Sequence, residues 1–387
     1  MKSQTMIIII FIIFLFIVFY YFQTQSKSIQ FILQNYVYIE DHVKYKTQDY
    51  LFTEYVIKYK KEKKEKINKI FENIKKPILW IYIPYEYNSR NWQSFGSRSS
   101  FNLNQPYLYL TIQSIIQHCA KDFYICIIDE YSFDKLIPEF SLELNKIGYP
   151  VKYNLKMLCL IKLLYLYGGM IVPLSFLCFE NLHPLFKKYT KDGRIFVGEN
   201  VNNNVSSGEH IFCPDIHFIG SKSKNPILED FIQYIQITTS TDFTQESIFL
   251  GKLNNWCLDK KKVNLISPKE LGTSTKDNQA VLIDNLLERD YISFSKHLYG
   301  IWIPSNDILN RTYYQWFARM SKEQVLKGNT ILSKYILLAL GPGSVPRIKE
   351  PSEKNDWISF WKVPSDAPVW GLMPNDLGND VPRSRDF

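Results

Sequence analysis

Signatures of several common chemistries are missing from this sequence. The 6 cysteines (Cys119, Cys126, Cys159, Cys178, Cys213 and Cys257) form no Cys-x-x-Cys pair, which argues against a zinc site. There is no P-loop and no Gly-x-Gly-x-x-Gly, so neither glycine-rich phosphate cradle is present. There is no His-Glu-x-x-His and no Gly-x-Ser-x-Gly elbow, which removes the zinc-peptidase and serine-hydrolase signatures. No internal repeat appears, so a solenoid or propeller is excluded. The formal net charge is +8, but much of it sits in one lysine-rich stretch. A basic face for nucleic acid is therefore not expected. An anionic diphosphate, an anionic glycan or a membrane surface are the milder partners such a charge suits.

What is present is apolar matter. Hydrophobic residues make up 46% and aromatics 16% of 387 residues, enough for a sizeable core. The cysteines lie in apolar context and read as buried thiols, with lumenal disulfides as the alternative. Met6–Phe22 is an unbroken apolar run. It reaches the lower end of a membrane span, roughly 17–25 residues. Its terminal tyrosines suit the lipid–water boundary. Tyr-Tyr-Phe-Gln-Thr-Gln is a poor cleavage site, so residues 1–24 read as an uncleaved signal-anchor rather than a signal peptide. Residues 25–76 read as a charged helical stem. Within it Ile67, Ile70, Phe71 and Ile74 have helical spacing beside a lysine/glutamate run. Residues 77–343 form the main α/β domain. Residues 344–387 are a tail rich in proline, with Trp357, Trp361 and Trp370 as anchors.

The stretch Asn154–Phe186 organises the domain. From Leu155 to Tyr167 the side chains are apolar but for Lys156, Lys162 and two tyrosine hydroxyls, which predicts a helix buried on most sides. Gly168-Gly169 stops it, and Met170–Val172 follows as a short strand closed by Pro173. This arrangement resembles the core of glycosyltransferase family 32. That family's pattern is roughly Ser-Asp-x-x-Arg-x-x-x-Leu, an aromatic-Gly-Gly, and an apolar strand closing on Asp-x-Asp. Leu164, Tyr167, Gly168, Gly169 and the strand fit. The helix Asp falls at Met157, the Arg at Leu160, and the Asp-x-Asp at Pro173-Leu174-Ser175. Two carboxylates at i and i+2 share one face of a strand and can hold a divalent metal against a diphosphate. Proline and leucine cannot. The resemblance therefore implies a GT-A type fold, a Rossmann-like mixed sheet flanked by helices, with the manganese-binding pair lost.

The remaining candidates come from strand ends. Ile78–Ile83 and Phe123–Ile128 read as strands, and Asp129 and Glu130 stand at the carboxyl end of the second, where open α/β sheets bind ligands. As an alternative they are solvated acids in a turn. Arg90, Trp92 and Arg98 fall in a polar loop after the first strand. Glu199 and Asn200 end one later strand, and Asp215 and His217 lie on another. The phrase Ser295–Trp302 resembles a short closing phrase of the family and contributes His297 and Trp302. Asp129, Glu130, Glu199 and Asp215 are the candidate catalytic acids. Ser175, Asn200, His217, His297 and Trp302 are the candidate substrate contacts, and no metal ligand is assigned. Two sequons, at Asn204 and Asn310, fit a lumenal face.

The resemblance implies a single-pass, type II membrane protein with a lumenal or extracytoplasmic domain. Its partners would be a nucleotide sugar and a glycan or protein acceptor. Three readings stand: a metal-independent sugar transferase, an inactive relative that binds or scaffolds, and a membrane-anchored structural protein.

Overall fold

The computed structural model describes residues 75–84, 105–130, 132–138, 140, 142–202, 210–241 and 246–341, and the backbone of Tyr36–Ile39. The expected anchor, the loop with Arg90, Trp92 and Arg98, the sequon at Asn204 and the tail from 344 lie outside these residues. No helix among the described residues is long and apolar enough to cross a membrane.

The pair Gly168-Gly169 fixes the centre of the fold. The helix Val151–Tyr167 ends where Gly168 takes φ +71° and donates its N–H to the Leu164 carbonyl at 2.8 Å. Gly169 follows at φ +97°, and a Cβ there would lie 1.9 Å from the Ile78 carbonyl oxygen. Only glycine lets the chain turn so close to the neighbouring strand. The helix begins four residues before the apolar run that predicted it, because Lys152 and Tyr153 extend it without breaking its burial.

In chain order the strands are β1 (Tyr36–Ile39), β2 (Ile78–Tyr82), β3 (Tyr124–Ile128), β4 (Gly169–Val172), β5 (Phe176–Cys178), β6 (Ile195–Val201), β7 (Phe212–Ser221), β8 (Val263–Ile266) and β9 (Gly300–Trp302). The helices are α1 (Tyr107–Cys119), α2 (Ser132–Leu136), α3 (Val151–Tyr167), α4 (His183–Thr190), α5 (Pro226–Thr241), α6 (Glu246–Trp256), α7 (Pro268–Leu271), α8 (Ile283–Leu286), α9 (Ser305–Asn310), α10 (Gln315–Arg319), α11 (Lys322–Lys327) and α12 (Ile331–Leu340). One sheet runs β1-β3-β2-β4-β7-β6-β8; β5 and β9 make a second, antiparallel pair. The strands β1, β3, β2 and β4 are parallel, β7 is antiparallel to both β4 and β6, and β8 returns parallel to β6. This is a mixed α/β sheet flanked by helices, as expected. Tyr36–Ile39 falls in the stretch assigned to a helical stem, yet it is extended and pairs with β3, because two β-branched residues alternate there with tyrosines.

The strands are buried on both faces and divide their side chains by period two. Leu79, Ile81, Ile125, Ile127, Met170 and Val172 face one core, with α1 and α12. Ile78, Trp80, Tyr82, Cys126, Ile128 and Ile171 face the other, with α3, α5 and α6. Trp80 satisfies its indole N–H on the Gly168 carbonyl at 3.0 Å, tying β2 to the glycine turn. All 6 cysteines are free and buried. Cys119 and Cys178 approach to 3.8 Å between sulfurs.

Candidate functional site

The strand order contains a switch point. From β2 the chain steps to β3 on one side, then crosses to β4 on the other. Connections leave in opposite directions there, and a crevice opens beyond the carboxyl ends of the strands. A cavity of about 390 Å³ occupies that place. Tyr82 ends β2 and Pro84 lies just beyond it, and Pro173, Leu174 and Ser175 follow β4. Tyr153, Lys156, Met157 and Leu160 come from α3, and Asn200, Asp215 and His217 from the β6–β7 pair. Trp302 and Asp307 close one side, and Glu246 and Asn254 of α6 another.

Met157 and Leu160 of α3 and Pro173-Leu174-Ser175 after β4 thus line one cavity together. Their chemistry does not fit a divalent cation, which needs oxygen ligands. Ser175 is also committed, since its hydroxyl donates to the Ile303 carbonyl at 2.8 Å. Among the described residues no three His, Cys, Asp or Glu side chains converge as a metal site.

A different polar array occupies the same space. Asp215 and His217 stand two apart on β7 and so share its face. Asp215 Oδ1 lies 2.6 Å from His217 Nδ1 and accepts the His217 backbone N–H at 3.0 Å. Asn200 Nδ2 donates to the other carboxylate oxygen at 3.1 Å. Burial pushes the Asp215 carboxyl up, but the charge and hydrogen bonds of His217, with the Asn200 bond, hold it below the usual range. A carboxylate on Nδ1 directs Nε2 outward. Nε2 meets the Tyr153 hydroxyl at 2.9 Å. Lys156 Nζ lies 4.0 Å above the Tyr153 ring and 5.5 Å from that of Tyr82. On the opposite wall Asn254, 3% exposed, has an Oδ1 with no hydrogen-bond partner. An orphaned buried acceptor at a cavity wall is a group a ligand donor can satisfy.

Of the expected residues, Ser175, Asn200, Asp215, His217 and Trp302 come together at this cavity, and four do not. Asp129 follows β3, where α2 begins at once and closes the strand end. Its carboxylate accepts the Ser132 N–H at 3.1 Å and the Ser132 hydroxyl at 2.9 Å, and burial first, then the Glu130 charge, raise its pKa to about 7. Glu130 accepts the Tyr82 hydroxyl at 2.6 Å, so it reaches the cavity through that ring. Glu199 neighbours Asn200 on β6 and takes the opposite face; burial raises its pKa against the pull of Lys260. His297 is exposed away from the cavity, its N–H bonded to Ser295 Oγ at 3.3 Å. Sequence reasoning missed Tyr153, Lys156, Glu246, Asn254 and Asp307. Lys156 carried a signal, being one of two lysines in an otherwise apolar helix.

No family model matches the chain, and no curated protein matches it. A solved structure titled "PaToxG Glycosyltransferase" is similar at 11% identity and a TM-score of 0.28, covering 70% of this chain and 95% of that one.

Proposed function

We propose that the chain is a glycosyltransferase-like protein that takes a nucleotide-sugar donor in the switch-point cavity without a divalent metal. One observation carries this reading. The cavity that collects Met157, Leu160 and Pro173-Leu174-Ser175 also collects Lys156 and the Asp215-backed His217. A lysine ammonium, with the Asp215-backed imidazole of His217 beside it, can meet a diphosphate by charge-assisted hydrogen bonds in place of a cation. Asp215 fixes the imidazole so that Nε2 faces the cavity rather than the sheet. Glu246, Asp307 and the orphaned Asn254 oxygen supply acceptors for sugar or ribose hydroxyls. Burial raises the Asp307 carboxyl, which suits a group that exchanges a proton with an acceptor hydroxyl. In that reaction the bond from the sugar to the diphosphate breaks and the bond to the acceptor oxygen forms. The diphosphate leaves with the electron pair, and the acceptor proton passes to a carboxylate. The acceptor is a glycan or a protein.

Lys156→Ala and His217→Gln test the assignment. Each should weaken donor binding about 10- to 100-fold, the range for a lost charged hydrogen bond. Glu199→Gln and His297→Gln, outside the cavity, should leave it unchanged. Calorimetric titration reads all four; unchanged affinity in the first two removes the cations from the site. The loss of all four family positions to apolar or hydroxyl side chains favours a second reading, a relative that binds a sugar nucleotide without turning it over. Binding with no product in an acceptor screen would decide for it.

A further inference from the structure

A second cleft lies at the other end of the sheet, about 760 Å³ and open. Its place follows from topology. Lys75, Lys76 and Pro77 lead into the amino end of β2, and Lys222 follows β7, whose antiparallel run against β4 brings it to the same edge. Lys187 and Lys191 come from α4 and the turn after it. Five ammonium groups thus face one concavity. One carboxylate lines it, Asp122, and that group is already bonded to the Asn181 side-chain amide. No carboxylate among the described residues forms an ion pair with Lys187, Lys191 or Lys222, and each of the three is exposed. The His183 ring, packed edge-on to Phe123 at 5.7 Å, adds a ring nitrogen to the wall.

Like charges converging on a concave wall repel one another and concentrate counter-ions. Folding brings Lys187, Lys191 and Lys222 to this wall with no ion pair to any of the three among the described residues, whereas Lys188 pairs with Glu270 at 2.8 Å and Lys262 with Asp230 at 3.2 Å. Lys75 and Lys76, which line the cleft, are the last two lysines of a lysine-rich run in the sequence. We propose that this cleft is a second binding site, distinct from the switch-point cavity, and that it takes a phosphate-bearing polyanion. Lysines meet phosphate as point charges from several directions, which suits an open cleft better than the planar fork of arginine would.

The test uses the full chain carrying Lys156→Ala, so that the switch-point cavity does not contribute. Three forms are compared: this chain, the same chain with Lys187→Glu and Lys191→Glu, and a control with Lys276→Glu and Lys327→Glu, both exposed and neither lining the cleft. Each is titrated with inorganic pyrophosphate. Each is also sedimented with vesicles of phosphatidylcholine alone or mixed equally with phosphatidylserine. The cleft variant should lose binding by about tenfold or more while the control keeps it. Loss read with pyrophosphate identifies a free phosphate compound. Loss read only as the gain from the serine lipid identifies a headgroup. If neither ligand separates the cleft variant from its parent, or if the control loses as much, the cleft is not a site.

Discussion

At the scale of single residues, the protein keeps acids for two different purposes. Asp215 is held ionised by His217, whereas Asp129 is pushed up to about 7 by burial and by Glu130. The second case has a pH signature. A folded-state pKa above the unfolded value means that the native state binds the proton more tightly. Stability is therefore greatest below about pH 4 as far as this group is concerned, and it declines as pH rises through 7. Asp129→Asn keeps an acceptor for the Ser132 N–H and removes the buried charge. It should stabilise the fold at pH 8 by on the order of a few kcal/mol and make no difference at pH 4. Denaturant melts at the two pH values check this; equal effects at both would mean that Asp129 is not the titrating group. Such roles were only partly legible. The strand-end position of Asp129 was read correctly, but α2 closing over it depends on packing by Phe133 and Leu136, which adjacency in sequence does not reveal. The pairing of Tyr153 with His217 spans 64 positions and leaves no local trace.

Elements were the most legible level. Gly168-Gly169 between an apolar run and a strand announced both the stop of α3 and the start of β4. Ser321 and Gln324 form a capping box at the start of α11, a Ser-x-x-Gln pattern local enough to read in sequence, with its two bonds at 3.2 and 2.8 Å. Alternation could not be read from the central strands, because both faces are buried and the runs are continuously apolar. The register that brings Met170 beside Leu79 likewise emerges only in three dimensions. Gly169 is where that register is most sensitive. Gly169→Ala forces a Cβ onto the Ile78 backbone at a positive φ. It should cost about 3 kcal/mol or more and part β4 from β2. Gly193→Ala is the comparison, positive in φ but with open space around it, and should cost about 1 kcal/mol. Urea melts of the two variants measure the difference; equal costs would show that conformation rather than contact governs the site.

For the whole molecule, the sheet separates two polar regions. Beyond the carboxyl ends of β2 and β4 lies the cavity with Lys156 and the Asp215–His217 pair, and beyond their amino ends the lysine cleft. The cavity follows from the placing of β3 and β4 on opposite sides of β2, and the cleft from the antiparallel run of β7 against β4. The account stands on the first region, where Lys156 and the Asp215–His217 pair line the cavity beside Met157, Leu160 and Pro173-Leu174-Ser175. The direct test is titration of the protein with a panel of nucleoside diphosphate sugars, in manganese and then in chelator. Binding of a donor with the same affinity in both, weakened about 10- to 100-fold on Lys156→Ala, is the predicted result. Binding that requires manganese, or binding of no donor at all, would contradict it.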